Sequence, residues 1–337
     1  MKNLQEATDR ISELSGRQVA LDALLPAVID ALRAPSHARL IESFDSHADA
    51  ARASMLHADI PDIMRATFER DVARNRALLQ RSGERASTPA QSQPVDDLLL
   101  SVTRISTFAG SRALTSASGF FFRRKHRLFL VSNRHVFEDV PTAHFPDRIE
   151  IGVHTDLQDL RQYVVLPLPL HRGGRKLWRE APATAGSVDV VAIEIPPEHL
   201  PRDAAFAAFD EAHLDAQGEE VAIGDALTIA GFPLGFHDTV HYLAVARGAC
   251  VASAFGVRFQ REACFLTDAR THSGSSGSPV VRRRAVAASP LSLHSWRLLG
   301  VHSTRMDMRT RDRAQDESLG LNCAWYADVL TALTAEG

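Results

Sequence analysis

Lysine is almost missing from this chain. Only Lys2, Lys125 and Lys176 occur in 337 residues, and arginine carries the rest of the 38 positive charges. Against 41 acidic residues they leave a net charge of -3 and a pI near 6.6. That balance gives no bulk electrostatic reason for a nucleic-acid or anionic-membrane partner. Cysteine is scarce too. Cys250, Cys264 and Cys323 cannot all pair, and none forms a CxxC, so neither a disulfide framework nor a structural zinc is expected and the thiols read as buried and reduced. No apolar run approaches the ~18 residues of a membrane span. The opening MKNLQEATDR lacks the apolar core of a secretion leader. There is no GxxxxGK[ST] phosphate loop and, among 15 histidines, no HExxH metal motif, which excludes two ordinary catalytic frameworks. The expectation is a soluble, cytoplasmic protein with no metal.

What is present divides by texture. In residues 1–80 apolar side chains recur at helical steps. The sets are Leu4, Ala7, Ile11 and Leu14; Leu24, Leu25, Val28, Ile29 and Leu32; Leu40, Ile41, Phe44, Ala48, Ala51 and Met55; then Met64, Phe68, Val72 and Leu79. They predict an N-terminal α-helical region of three or four helices. Residues 81–97, RSGERASTPAQSQPVDD, are polar with two prolines and no period, which reads as a linker. From Leu98 to the end, short Val-, Ile- and Phe-rich runs alternate with turn residues: LLLSVTRISTF, SGFFFRR, RLFLVSN, RIEIGVH, DVVAIEI, ALTIAGF, ACFLTDA, SPVVRRR and RLLGVHS. Without long helices between them, they predict a mostly β domain over 98–337, a sandwich or pair of barrels. Arg123–His126 reads as a hairpin tip, and CAWYADVLTALTAEG as a closing helix.

Three stretches carry chemistry. THSGSSGSPVV, 271–281, places Ser276 in a Gly/Ser turn ahead of an apolar run. LFLVSNRHVF ends an apolar strand at His135, and GSVDVVAIEI starts one at Asp189. Taken singly, the turn reads as a loop, the histidine as a hydrogen-bonded core residue and the aspartate as a cap. Together, each at the edge of a β-run in one domain, they match the needs of acyl transfer. A serine hydroxyl needs a base, the imidazole needs an acceptor on its other nitrogen, and the oxyanion needs aimed backbone N–H groups. Glycines beside the serine let those donors turn without a Cβ in the way.

In the order His, Asp, Ser, these motifs resemble the chymotrypsin-like (trypsin-fold) serine peptidases. VSNRHVF is similar to their strand-then-histidine motif, in the bacterial form with Asn two residues before His. DVVAIEI resembles their aspartate strand, and GSSGSPVV their nucleophile turn. GFPLGF (231–236) and LLGVHS (298–303) resemble bacterial members. The resemblance covers roughly 98–337. It implies two antiparallel six-stranded β-barrels with a cleft between them, and peptide-bond hydrolysis through an acyl-enzyme with no cofactor. Ser276 would be the nucleophile, His135 the base and acid, and Asp189 the orienting carboxylate. The N–H groups of Gly274 and Ser276 would form the oxyanion hole. One position departs: animal trypsins carry aspartate just before the nucleophile, where this chain has Ser275, so activation by insertion of a new N-terminus is not expected.

Thr271 and His302 resemble, in place and type, the pocket of bacterial glutamyl endopeptidases and of Gln/Glu-specific viral proteases. A hydroxyl and an imidazole N–H both donate to a side-chain carbonyl or carboxylate, and Arg270 would add positive charge. The resemblance therefore implies protein or peptide substrates cut after Glu or Gln. A protease-like docking module without activity, or a latent protease restrained through its N-terminal helices, is the other reading. Those helices are also the candidate surface for a partner or for self-association.

Overall fold

The computed structural model describes residues 94–181, 188–215, 218–285, 289–303 and 320–335, with 37–56, 67–76 and the helical positions 7, 10, 11, 14, 18, 21 and 64 earlier in the chain. The chain divides into two compact units, Met1–Gln91 and Ser92–Gly337.

In the first unit, helix α1 spans His37–Leu56 and a second helical run spans 67–76. Phe44, Ala48 and Met55 pack against Phe68 and Val72, as their helical spacing predicts. Arg52 grips both carboxylate oxygens of Glu69 at 2.8 Å, and Arg76 reaches Asp45 at 2.8 Å. The links 45–76 and 52–69 run in opposite chain directions, so the two helices are antiparallel. The predicted helix around Leu24–Leu32 lies outside the described residues, as does most of the predicted linker.

The second unit is mostly β, with two curled antiparallel sheets of seven and six strands. The first sheet contains β1 (Val102–Ala109), β2 (Arg112–Arg124), β3 (Arg127–Ser132), β4 (Arg148–His154), β5 (Tyr163–Pro169), β8 (Trp178–Glu180) and β9 (Val191–Ile195), in the order β5-β4-β1-β2-β3-β9-β8. The second contains β10 (Ala226–Gly231), β11 (Val245–Cys250), β12 (Cys264–Thr267), β13 (Pro279–Arg283), β14 (Trp296–Ser303) and β15 (Asn322–Tyr326), in the order β11-β10-β13-β14-β15-β12. A small ribbon, β6 (His171–Arg172) with β7 (Arg175–Lys176), stands apart. The first sheet exceeds the expected six strands because the short β8 adds to the edge of β9, pairing Trp178 with Ile193.

The alternation of strand faces builds three cores. The Phe120–Phe121–Phe122 run of β2 divides between two of them. Phe121 packs inside the first sheet with Leu130, Phe137 and Ile151. Phe120 and Phe122 face the other way and join Phe129, Phe209, Val281, Leu298 and Val301, a core shared by both sheets. The second sheet closes on Ile229, Phe265, Val280 and Leu299. This is the period of two of a pleated strand, used on both faces.

Two local readings are corrected. Leu98–Leu100 do not begin the first strand. They form a helical turn capped by the Asp96 side chain, which accepts from the Leu98 N–H at 3.0 Å, because a carboxylate beside an orphan N–H favours the turn. Nor is the C-terminal segment helical from Cys323. Asn322–Tyr326 is a central strand between β14 and β12, and only Val329–Leu333 is helical; pairing on two sides outweighs local propensity. The hairpin tip lies where expected, with Lys125 left-handed at φ +53°. Of the three free thiols, Cys264 and Cys323 are buried, while Cys250 is half-buried.

Phe120 is fully buried and meets Phe209 edge to face at 5.6 Å. Phe120→Ala should destabilise the protein by about 3–5 kcal/mol in urea unfolding, whereas Phe145→Ala, at an exposed position, should stay within about 0.5 kcal/mol.

Candidate active site

The apolar strand β3 runs out at Ser132, and Arg134–Phe137 then makes one helical turn. This turn presents His135 beside Asp189, which lies two residues before the start of β9. His135 Nδ1 lies 2.7 Å from Asp189 Oδ2, and the His135 main-chain N–H donates to Asp189 Oδ1 at 3.0 Å. Ser303 Oγ donates to Asp189 Oδ2 at 3.1 Å. A carboxylate only accepts, so the ring nitrogen facing it carries its proton there and Nε2 keeps its lone pair. Asn133 is fully buried, and its amide donates to the main-chain oxygen of Asp189 at 2.7 Å. That bond gives the asparagine two residues before the histidine a physical task.

Ser276 sits in a turn held from several sides. Gly277 donates to His302 O at 2.9 Å, and His302 donates to Ser278 O at 2.8 Å. The neighbouring Ser303 holds Asp189, so the end of β14 anchors both the serine turn and the His135–Asp189 pair. Gly277 has φ +83°, and a Cβ there would overlap Ser118 O and Ser132 Oγ; no other residue fits. Gly274 has φ +93°. Its two flanking peptides are both pinned. Ser273 O accepts from the Leu234 N–H at 2.6 Å, and Gly274 O accepts from Ser118 Oγ at 2.8 Å. In a planar trans peptide N–H and C=O point opposite ways, so the Gly274 N–H faces away from Leu234. Ser275 O accepts from the Ser278 N–H at 3.1 Å, which turns the Ser276 N–H away from that bond in the same manner. The GFPLGF stretch singled out in the sequence is the brace that supplies the Leu234 N–H.

Sequence reasoning missed Ser118, Ser132 and Ser303. Ser118 is fully buried and makes four bonds. Its N–H donates to Ser276 O at 2.9 Å, its hydroxyl donates to Gly274 O and accepts from the Phe232 N–H at 2.9 Å, and its carbonyl accepts from Ser132 Oγ at 2.8 Å. The only signal was a Ser-Gly pair opening an apolar run, which is common in strands. Ser303 was legible as the last residue of LLGVHS but had no assigned task.

The remaining predicted residues are less gathered. His302 is fully buried, and among the described residues neither ring nitrogen has a hydrogen-bond partner. Burial, with a smaller push from His135, lowers its pKa from 6.5 to about 4. Thr271 is half-buried, and its hydroxyl donates to Asn322 Oδ1 at 2.9 Å. Arg270 is exposed, with its carbonyl held by the Arg247 guanidinium.

The trypsin-like peptidase domain family matches this chain over residues 117–286, a span that holds His135, Asp189 and Ser276. The chain belongs to that family. Solved structures similar to this peptidase domain include three proteins. The serine endoprotease from Yersinia pestis has 14% identity over 69% of this chain and 61% of its own, with a TM-score of 0.42. An inactive serine-to-alanine mutant form of Rv3671c from M. tuberculosis H37Rv has 15% identity over 74% and 98%, with a TM-score of 0.36. The scabies mite inactivated protease paralogue S-I1 has 14% identity over 71% and 95%, with a TM-score of 0.40. The chain thus spans 61% of the length of the Yersinia protein. No curated protein matches it.

Two predictions follow from this geometry. Ser118→Ala leaves Gly274 O and the Phe232 N–H without their partner. In this peptidase domain it should slow phosphonylation by a fluorophosphonate about tenfold or more, with a stability loss of about 1–3 kcal/mol in urea unfolding. His302 governs an acid response. Between pH 6.5 and about 4 the unfolded chain binds a proton at His302 that the folded chain refuses. Stability present above pH 6.5 is therefore lost as pH falls through this window, by about 3 kcal/mol in all. His302→Gln should flatten that part of a stability-against-pH curve.

Proposed function

We propose that this chain is a serine endopeptidase that works through an acyl-enzyme on protein or peptide substrates. The observation that carries this reading is the 2.7 Å bond from His135 Nδ1 to an Asp189 carboxylate that accepts three donors in all. Such a carboxylate fixes the imidazole's tautomer and stabilises its cation. In this mechanism His135 Nε2 takes the proton from Ser276 Oγ as that oxygen attacks the scissile carbonyl. The oxyanion is met by the N–H groups of Gly274 and Ser276, and the pinned peptides on either side of Gly274 support that role. The imidazolium then protonates the leaving amine, and a water, activated by the same imidazole, releases the acyl group.

For the residue before the cut, we propose Glu or Gln, read by His302 and Thr271. Support comes from the burial of His302 without a partner for either ring nitrogen. A substrate carbonyl would supply the acceptor that the ring N–H lacks. A neutral ring donates one hydrogen bond without charge, which suits the glutamine amide at least as well as the glutamate carboxylate. We place the enzyme in the cytoplasm and with the bacterial type of the fold, on the sequence features that suggested both.

A fluorophosphonate probe should label the full-length protein, with labelling absent in Ser276→Ala and at least a hundredfold slower in His135→Ala. Folded wild-type protein that stays unlabelled contradicts the mechanism. A peptide-library profile led by Arg, Lys or large aromatic residues before the cut contradicts the pocket while leaving the mechanism standing.

A further inference from the structure

A second cavity lies in the same unit and shares no residue with the His135, Asp189 and Ser276 site. Its volume is about 560 Å³, within the range of small-molecule sites. Its walls come from the segment 255–263, β14, the end of β15 and the C-terminal helix, and are more apolar than polar: Phe255, Leu298, Tyr326 and Ala332 line it. Phe255 and Tyr326 meet edge to face at 5.1 Å, giving one wall a fixed aromatic surface.

Charge enters through Arg297. It lines the cavity and is more than nine-tenths buried. Its Nη1 donates to the main-chain oxygen of Glu219 at 2.7 Å, and its Nε has no acceptor. Among the described residues no carboxylate stands within 4 Å of its guanidinium. The nearby acids are committed elsewhere: Glu219 Oε2 and Asp225 Oδ2 both bind Arg282. Among the described residues Arg284, equally buried, is likewise held by main-chain oxygens, those of Ala212 and Asp215. Arg282 and Arg284 push against the charge of Arg297, and Glu219 and Asp215 offset this only in part. A buried cation without a paired anion is strongly destabilising, so the fold retains an unmet demand for negative charge at the wall of this cavity.

We propose that this cavity binds a small monocarboxylate with an apolar body, its carboxylate on Arg297 and its body against Phe255, Tyr326 and Ala332. One unpaired guanidinium matches a single carboxylate, which accepts two parallel N–H bonds. Asp328, also on the cavity wall, disfavours a dianion such as a phosphate monoester. Arg258 stands exposed on the same lining and favours entry of an anion.

The test uses octanoate and its neutral counterpart octanamide in calorimetric titrations of the full chain. Heat reports binding directly, so the result does not depend on peptide hydrolysis. Octanoate should bind at one saturable site per chain, with octanamide at least about tenfold weaker. Arg297→Gln should bring octanoate down to the affinity of the amide. Because that variant removes a buried hydrogen bond and can fail to fold, Ala332→Phe provides a second arm: it fills the cavity from the helix side and should abolish binding of both compounds. Equal affinity for octanoate and octanamide overturns the role of Arg297. Unchanged octanoate binding in Ala332→Phe overturns the location. An absence of saturable heat up to about 10 mM octanoate overturns the proposal outright.

Discussion

The second unit depends on one close approach: β2 and β3 of the first sheet must come within hydrogen-bond reach of the turn that carries Ser276. Ser118 makes that approach with main chain and side chain together, bonding Ser276 O, Gly274 O and the Phe232 N–H. Nothing wider than a hydrogen atom fits at Gly277, because Ser118 O and Ser132 Oγ occupy the place of its Cβ. Small residues on both sides are therefore a packing condition before they are a catalytic one. Once met, the condition sets the rest. The turn is fixed relative to β14, β14 carries Ser303 to Asp189, and Asp189 holds His135. Each group is positioned by a strand end rather than by a free loop, which suits a reaction that loses rate with small displacements.

The parts of this arrangement that were legible in the sequence share a property: they are local. A strand ending at His135, a strand starting at Asp189 and a glycine-flanked Ser276 are each visible within about ten residues. The helical period of Phe44, Ala48 and Met55, and its partner in Phe68 and Val72, are equally short-range. The parts that were not legible depend on distant chain. Nothing near Ser118 announces that its hydroxyl will meet a carbonyl 156 positions later. Cys323–Tyr326 looked helical because Ala and the aromatic residues tolerate a helix. Only the flanking strands β14 and β12 make the extended form the better one. The same reasoning covers Leu98–Leu100, where one cap bond from Asp96 redirects an apolar run that reads as a strand.

Buried polarity in this unit is handled in three ways, and the differences carry the functional argument. Asp189 accepts three donors, two of them from His135, and so fixes the orientation of that imidazole. His302 is buried without partners and responds by staying neutral. Arg284 and Arg297 cannot take that route, since a guanidinium keeps its proton in proteins. Among the described residues both are held by main-chain oxygens.

That contrast separates structural economy from a site. A chain that needed only to fill the space beside β14 could have done so with an aliphatic residue. Replacing a buried ion by packed hydrocarbon is often neutral or stabilising. An arginine at position 297 that lacks, among the described residues, both a carboxylate and an acceptor for Nε lowers stability unless something offsets it. Arg282 shows how this fold pairs a cation when pairing alone is required: Glu219 and Asp225 are both supplied. The absence of such a pair at Arg297, on the wall of a cavity large enough for a small molecule, is what makes an external anion the better account of that residue. His302 shows the same lack closer to Ser276, with no acceptor for its ring N–H among the described residues.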